Sequence, residues 1–418
     1  MKWLLKENRT IKLIVVFLLL TLFLFEKIKQ SNKQDDGFAH EASYSVGDDV
    51  VFSVIGVYEE MSKLSISSLT NDYQNTIEIS PYKTFESTEV LLDGILEYSF
   101  NKFSSKGLKS GIYLINDTIP FVLKDDNQAV EIIVVFPYVN NLIKTKWKGN
   151  TVGSETYTYT NLYRSNFVDA LTSEMKPFFN ELSNKYSVKY ISDVDLNNSG
   201  SLGGSKMLIF YGDLLYATSA MKNNVLGFIN SGGHVLLAST YFFNNVIWMD
   251  DFDSSVIVLN KKAKESGVIS KDRFGVSLWE VEHKYIYDYI GFSYAKGGFP
   301  LKNSGYEVVW DNSPLFKNLS MEKVPVNGYN FMGLDGEYVN NKFEFNLLEN
   351  ITVVTHASIP SEINGNVGMT GIFEVQLNER SGKILSLGTS QWFTDWNYGK
   401  SEDVRDITRD AISYLLND

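Results

Sequence analysis

The stretch AVEIIVVF at residues 129–136 decides the fold, because it is an almost continuous apolar run of strand length. Such a run is typical of a parallel strand that is covered on both faces. Further strand-like runs and helical patterns alternate downstream. The predicted strands are 188–191, 206–211 and 234–238, and the predicted helices are 167–185 and 220–230. This alternation predicts an α/β fold with an open, doubly wound sheet.

Glycine and proline mark the ends of these elements. Gly232 and Gly233 end the helix at 220–230. Pro177 either kinks the helix at 167–185 or marks its start. The α/β pattern returns at residues 382–388, and a last helix is predicted at 404–416. Between about 255 and 375 the sequence is irregular and aromatic, which indicates a β-rich elaboration of the domain at 126–418.

The residues upstream of this domain have a different pattern. Short runs at 50–57, 63–67, 94–100 and 111–115 are separated by turn residues and show no long helical period. This spacing predicts a small all-β sandwich over residues 44–125.

The N-terminus carries one apolar segment, LIVVFLLLTLFLF at residues 13–25, which contains no charge. It is short beside the roughly 20 residues that span a bilayer, and it is followed by Glu26-Lys27-Ile28-Lys29 instead of a small-residue cleavage site. We expect a single transmembrane helix within residues 1–29, with the lipid bilayer as its partner. A cleaved signal peptide and a buried core helix are the alternatives.

The charges around this segment set its orientation. Four basic residues precede it, so the positive-inside rule places the N-terminus in the cytoplasm, and three lysines behind it weaken that bias. Residues 30–43 are polar and aperiodic, which indicates a stalk. The body is then expected outside the cytoplasm, in the periplasm or at the cell surface.

Composition excludes several classes of site and partner. The chain has no cysteine, which excludes disulfides, thiol catalysis and Cys-ligated metals. A net charge of −12 argues against nucleic acid as a partner. The chain contains 24 Tyr, 27 Phe and 7 Trp, which fit either aromatic β cores or sugar stacking. Carbohydrate or an envelope protein is therefore a candidate partner.

The turn after the third predicted strand is the first candidate site, because ligands of open α/β sheets gather at strand carboxyl ends. Asp213 lies in this turn and Tyr216 follows it. Asp213 either acts as a base or weak metal ligand, or caps a helical turn over residues 214–216.

The loop after the last strand is the second candidate. Trp392 and Trp396 flank Asp395 there, and this composition suits a carbohydrate ligand or a plug in the core. A third feature, the carboxylates at residues 250–253, is either a calcium loop or a solvated acidic loop. The four histidines form no HExxH motif.

The order of elements resembles the C-terminal part of the large, or beta, subunit of N,N-dimethylformamidase, over roughly residues 44–418. The segments that carry the resemblance are YSVGD at 44–48, SGIY at 110–113, YSVKYISDVDL at 186–196, FINSGGHV at 228–235 and GKILSLGT at 382–389. The resemblance implies a core similar to class I glutamine amidotransferases, preceded by a β-sandwich. It also implies that catalytic members hold one iron ion through two tyrosines and a glutamate, near a histidine and an asparagine.

The chain departs from that iron site. The family's GHxEYW motif corresponds to YGDLLY at 211–216, which places Gly212 at the histidine and Leu214 at the glutamate. The segment of the first tyrosine offers Ile143, with Tyr138 nearby, and the position of the second holds Phe167. We therefore expect no metal and no other cofactor.

The asparagine of the family's site corresponds to Asn244. With Tyr241, Trp392 and Trp396, it forms the predicted ligand-binding set. The leading hypothesis is a membrane-anchored, non-catalytic member of this family that works in ligand binding or assembly at the cell envelope, in connection with polysaccharide. The alternative is a hydrolase of amides or glycans that uses Asp213, Tyr216 and Asp395.

Overall fold

A computed structural model describes most of the chain from residue 37 onward. The described residues are 37–39, 41–55, 62–79, 83–86, 97–117, 119–126, 129–139, 157–159, 174–212, 214–239, 242–246, 248–249, 257–259, 292–293, 298–300, 305–319, 322–326, 331–339, 342–345, 351–363 and 366–418. Contacts divide the chain into residues 1–36 and 37–418. The predicted anchor at 13–25 lies outside the described residues. Within the described part, no helix is long and apolar enough to cross a bilayer.

The segment of the predicted sandwich forms two sheets of short, mostly antiparallel strands. These strands are β1 (Gly37–Ala39), β2 (Ser43–Ser45), β3 (Asp49–Ile55), β4 (Ser62–Ser68), β5 (Gln74–Ile79), β6 (Lys83–Glu86), β7 (Glu97–Ser104), β8 (Gly111–Ile115) and β9 (Ile119–Lys124). The sheet orders are β1-β3-β7-β6 and β2-β9-β8-β4-β5. The two sheets share an aromatic core, in which the rings of Tyr113 and Phe121 stack with centroids 5.5 Å apart.

The rest of the described chain is dominated by one large mixed sheet. Its strands and their neighbours are β10 (Ile132–Phe136), β11 (Tyr157–Tyr159), β12 (Val188–Ser192), β13 (Met207–Tyr211), β14 (Leu214–Ala217), β15 (His234–Ala238), β16 (Phe242–Val246), β17 (Trp248–Met249), β18 (Ile257–Leu259), β19 (Phe292–Ser293), β20 (Gly298–Pro300), β21 (Tyr306–Val308), β22 (Lys323–Val324), β23 (Phe331–Val339), β24 (Lys342–Phe345), β25 (Thr352–Ile363), β26 (Asn366–Gln376) and β27 (Lys383–Ser386). The described α-helices are α1 (Lys176–Lys185), α2 (Ser219–Asn230) and α3 (Glu402–Leu416). The molecule is thus rich in strands and has few helices.

The centre of the large sheet is parallel and is buried except at the first residues of three strands. Its strand order is β12-β10-β13-β15-β27, and every adjacent pair in this group is parallel. The apolar run that opened the sequence forms β10, whose residues are all buried, as expected for a strand with both faces covered.

The predicted helices at 220–230 and 404–416 form with shifts of one or two residues. The part of the predicted helix 167–185 that the structure describes includes α1, with Pro177 in its first turn, and residues 167–173 lie outside the described residues. Helix α2 begins one residue earlier than predicted, because the Thr218 hydroxyl accepts the Met221 backbone N–H at 3.1 Å. It ends at Asn230, and Gly232, just beyond the capping residue Ser231, has a φ of +94°.

The region at 255–375 is rich in strands where it is described, as predicted. It is not a separate layer, because β26 pairs antiparallel with β27 and continues the parallel sheet. The two longest strands described in this region, β25 and β26, form an antiparallel hairpin. A register shift between Thr355 and Ala357 makes His356 a bulged residue.

Candidate functional site

The order of the parallel strands reverses next to β10, and this reversal places the candidate site. Along the chain β10 comes first, yet in the sheet it lies between β12 and β13. In open sheets ligands bind beyond the strand carboxyl ends at such a switch. Here Pro137 and Tyr138 follow β10, and Gly212 follows β13. Gly212 has a φ of +70°, and a Cβ on it would lie 3.4 Å from Pro137 Cγ, so the two loops touch.

Asp193 is the ionisable group built most deeply into this edge. It follows β12, and its side chain is only 1% exposed. The backbone N–H of Val139 donates to both carboxylate oxygens at 3.1 Å, and this ties the ends of β10 and β12 together. Burial raises the pKa of this carboxyl to about 8, against the lowering effect of those backbone N–H groups. Asp193 is therefore largely protonated at neutral pH.

Tyrosine side chains are buried near this carboxyl. Tyr138 and Tyr211 are both buried, and burial raises the pKa of both phenols. The Tyr190 hydroxyl shares a 2.8 Å hydrogen bond with Ser183. The Tyr211 hydroxyl has no hydrogen-bond partner among the described residues. Asp193, Tyr138 and Tyr211 are thus neutral groups at pH 7, and none of these three supplies a charged base there.

The prediction that Asp213 caps a helical turn over 214–216 was wrong. Residues Leu214–Ala217 form strand β14, which pairs in parallel with β16, so no helix begins there. The partner strand β16 begins at Phe242, and a local capping pattern cannot reveal a partner that lies so far along the chain. Asp213 itself lies outside the described residues.

The other members of the first candidate site are placed as follows. Tyr216 lies on β14 with 7% of its surface exposed, and burial raises the pKa of its phenol. Asn244 lies on the neighbouring strand β16. Tyr241 lies outside the described residues. The structure thus brings the strands of Tyr216 and Asn244 together, and the roles of these residues stay predictions.

The second candidate loop follows β27 at the same edge of the sheet. Trp392 is completely buried, and its indole N–H donates to the Thr408 hydroxyl at 2.9 Å. Asp395 and Trp396 open a single π-helical turn, Asp395–Gly399. Phe393 stacks on Phe178 of α1 with ring centroids 3.8 Å apart. Trp392 is held within the core in this arrangement, and ligand binding by Trp392, Asp395 and Trp396 stays a prediction.

The residues present do not fit the iron centre that the resemblance implies. Leu214, at the glutamate position, is 0% exposed and offers only hydrocarbon. Gly212, at the histidine position, has no side chain and adopts the left-handed backbone that favours glycine. Neither can donate an electron pair from a side chain, so the expected glutamate ligand and the histidine expected beside the iron are both replaced by groups without ligand chemistry.

Asp193 was missed from the sequence, although it lies within the segment at 186–196. A usable signal was present, because an acidic residue stands two positions after the predicted strand 188–191 and so lies at a strand carboxyl end. The buried pair of His356 and Glu374 was also missed, with His356 Nε2 at 3.7 Å from Glu374 Oε2. These two residues lie far apart in sequence and meet only through the β25–β26 pairing.

Comparison with solved structures finds weak likenesses only. The mmIFT52 N-terminal domain is 12% identical with a TM-score of 0.32, over 68% of this chain and 97% of that one. A catalytic mutant of Gan42B, a GH42 beta-galactosidase from G. stearothermophilus, is 10% identical with a TM-score of 0.33, over 69% of this chain and 30% of that one. The beta-galactosidase from Bacillus circulans sp. alkalophilus is 10% identical with a TM-score of 0.31, over 68% of this chain and 31% of that one.

This chain thus spans less than a third of either galactosidase, and TM-scores this low carry no conclusion about function. No curated protein matches the sequence. The family model described as N,N-dimethylformamidase beta subunit-like, C-terminal, matches residues 103–402, which is well over half of the chain. The chain belongs to this N,N-dimethylformamidase beta subunit-like family.

Proposed function

We propose that the chain is a non-catalytic member of this family that binds a ligand or partner at the cell envelope, in connection with polysaccharide. Leu214 carries the proposal, because a fully buried leucine stands where the family's pattern has a metal-binding glutamate. A site that keeps its strands but lacks ligand atoms is suited to binding through shape and hydrogen bonds. The phenols of Tyr138 and Tyr211 and the neutral carboxyl of Asp193 are buried polar groups at the strand carboxyl ends, where we place the binding crevice.

The finer architecture belongs to the same proposal. We assign residues 1–29 to a cytoplasmic tip and membrane anchor and 30–43 to a stalk. Residues 44–125 would form the sandwich, and 126–418 an amidotransferase-like, doubly wound domain with the elaboration at 255–375. The reversal of strand order at β10 and the parallel centre of the sheet support the doubly wound assignment. The uncharged run at 13–25 supports the anchor, with the body outside the cytoplasm.

Iron analysis tests the non-catalytic assignment. The purified full-length chain is incubated with iron(II) without oxygen, desalted, and measured for bound metal. We expect far less than one iron per chain. Tyr138→Phe is the matched variant, because Tyr138 is the phenol nearest the position of the family's first tyrosine. Stoichiometric iron that is lost in Tyr138→Phe would show a metal centre in a different register and would overturn the proposal.

Membrane attachment needs a separate test. The full-length chain is expected to stay with membranes during alkaline extraction, whereas a chain that lacks residues 1–36 is expected in the supernatant. Protease added to intact cells or spheroplasts should digest the body if it lies outside the cytoplasm. Release of the full-length chain by alkali, or protection of the body from protease, would contradict this part of the proposal.

A hydrolase of amides or glycans is the second candidate. The protonated Asp193 at the edge of the crevice favours it, because a buried neutral carboxyl can act as a general acid. Its candidate groups are Asp213, Tyr216 and Asp395. Release of nitrophenol from nitrophenyl glycosides, or of amine from small amides, would support this candidate if Asp213→Asn abolishes it and the fold is retained. We expect no such activity.

A further inference from the structure

A cavity lies at the opposite end of the central sheet from the proposed crevice. Its volume is about 760 Å³, which falls in the range that holds small ligands. Lys206 lines it just before β13, whereas Gly212 follows the same strand at the crevice. His234 at the start of β15, the last turns of α2 and the end of α3 complete the wall.

His234 presents a hydrogen-bond donor at this wall. Its Nδ1 accepts the backbone N–H of Lys383 at 3.1 Å, so the proton of the neutral ring is on Nε2. Burial, ahead of the charge of Lys383, lowers the pKa of this histidine, although Asp418 and Glu374 oppose the shift. The ring is therefore neutral at pH 7, and it carries its one N–H on a residue that lines the cavity.

The charges that line the cavity favour neither an anion nor a cation. Asp418 is already paired, since its carboxylate lies 2.9 Å from Lys383 Nζ. The carboxyl end of α2 carries partial negative charge, which disfavours an anion, whereas Lys206 disfavours a cation. The Asn224 amide nitrogen donates to the Leu196 and Asn197 carbonyl oxygens at 2.8 and 3.1 Å, which fixes the amide and leaves its oxygen to accept. Neutral donors and acceptors thus dominate the wall.

Gly227 keeps one side of the cavity without a side chain. A glycine inside a helix costs about 1 kcal/mol relative to alanine. A Cβ on Gly227 would meet no atom within 4 Å, and its backbone φ is not positive, so neither packing nor conformation requires glycine there. The residue lines the cavity, and a large side chain at this position would occupy it.

We propose that this cavity binds an uncharged, hydroxyl-rich small molecule, from one to a few sugar units in size. Hydroxyl groups both donate and accept, so they match a wall that combines the His234 N–H with amide and backbone oxygens. This site is separate from the crevice at the carboxyl edge. It would therefore survive if the binding role proposed for that crevice failed.

Saturation-transfer NMR on the full-length chain tests the proposal. The neutral probes are glucose, galactose and N-acetylglucosamine, and the charged comparisons are glucuronate and glucosamine. We expect transfer to at least one neutral sugar and weaker transfer to the charged pair. Gly227→Trp should weaken binding by about tenfold or more. Ala220→Trp is the matched control, because it adds the same side chain at an exposed position about 10 Å away on α2 and off the cavity wall.

Thermal unfolding of both variants verifies that they fold, and Gly227→Leu provides a smaller blocking side chain if the tryptophan variant does not. The site assignment is wrong if none of the neutral sugars shows transfer, if the charged analogues bind more tightly, or if the variants at positions 227 and 220 bind alike. Loss confined to position 227, with unchanged unfolding, supports it.

Discussion

At the scale of single residues, Asp193 should make stability fall as the pH rises. Its pKa is about 8 in the folded chain, against about 3.9 for an unperturbed aspartate. Between these values the unfolded chain binds fewer protons, so the free energy of unfolding decreases by up to about 1.4 kcal/mol per pH unit. Asp193→Asn should remove this slope between about pH 4 and 8, because the amide oxygen still accepts from Val139 and never ionises. Urea unfolding at several pH values measures it.

The apolar variant at the same position separates charge from hydrogen bonding. Asp193→Leu should also lack the slope, yet it should be less stable than Asp193→Asn by about 1–3 kcal/mol, because the Val139 N–H loses its acceptor. If Asp193→Asn keeps the slope of the wild type, the carboxyl is ionised at neutral pH and the assignment of a neutral Asp193 is wrong.

The sequence predicted which residue types stand at the carboxyl edge of the sheet better than it predicted how they are arranged there. The loss of ligand chemistry at Gly212 and Leu214 could be inferred from the sequence, since a glycine or leucine side chain cannot bind iron wherever it lies. The burial of Asp193 could not, because it results from the packing of β10 against β12, residues that are more than 50 positions apart. Trp392 illustrates the same limit, as its partner Thr408 lies on α3.

At the scale of elements, the β25–β26 hairpin depends on a close approach at Gly371. A Cβ at this position would lie 2.0 Å from the Ala357 carbonyl oxygen, next to the bulge at His356. Because that neighbour is backbone and cannot rotate away, Gly371→Ala should destabilise the fold by about 1–3 kcal/mol or more. Gly227→Ala is the matched control. Its Cβ meets open space, so it should stabilise the chain by up to about 1 kcal/mol.

Chemical denaturation of the two alanine variants compares these effects directly. Equal stability of both variants would show that β26 moves away from β25 at no cost.

The parallel strands were predictable because each has a local apolar pattern, and the helices because each has a local stop or start signal. The antiparallel continuation through β26 was not, since nothing local in β27 specifies the direction of its neighbour.

At the scale of the whole molecule, the sheet of β8 and β9 connects the two halves of the chain. Ile112, Leu114 and Val122 belong to the same hydrophobic core as β10 and β12. Asp195, which follows β12, lies 2.8 Å from Lys124 Nζ and also accepts from Ser43 and from the Ser192 backbone. The Lys124 and Asp195 side chains are 23% and 9% exposed, so this contact is largely shielded from water.

Removal of one partner of this shielded pair should cost far more than removal of one partner of an exposed pair. Asp195→Ala leaves the Lys124 ammonium without its carboxylate partner and the Ser192 N–H with only the longer contact to the Ser43 hydroxyl at 3.2 Å, and it should destabilise the chain by about 3 kcal/mol. Lys102→Ala is the matched change in the sandwich, where Lys102 and Asp49 lie 3.0 Å apart with side chains 60% and 49% exposed. It should change stability by less than about 1 kcal/mol. Equal losses in urea unfolding would mean that the sandwich and the central sheet are not held together through Asp195.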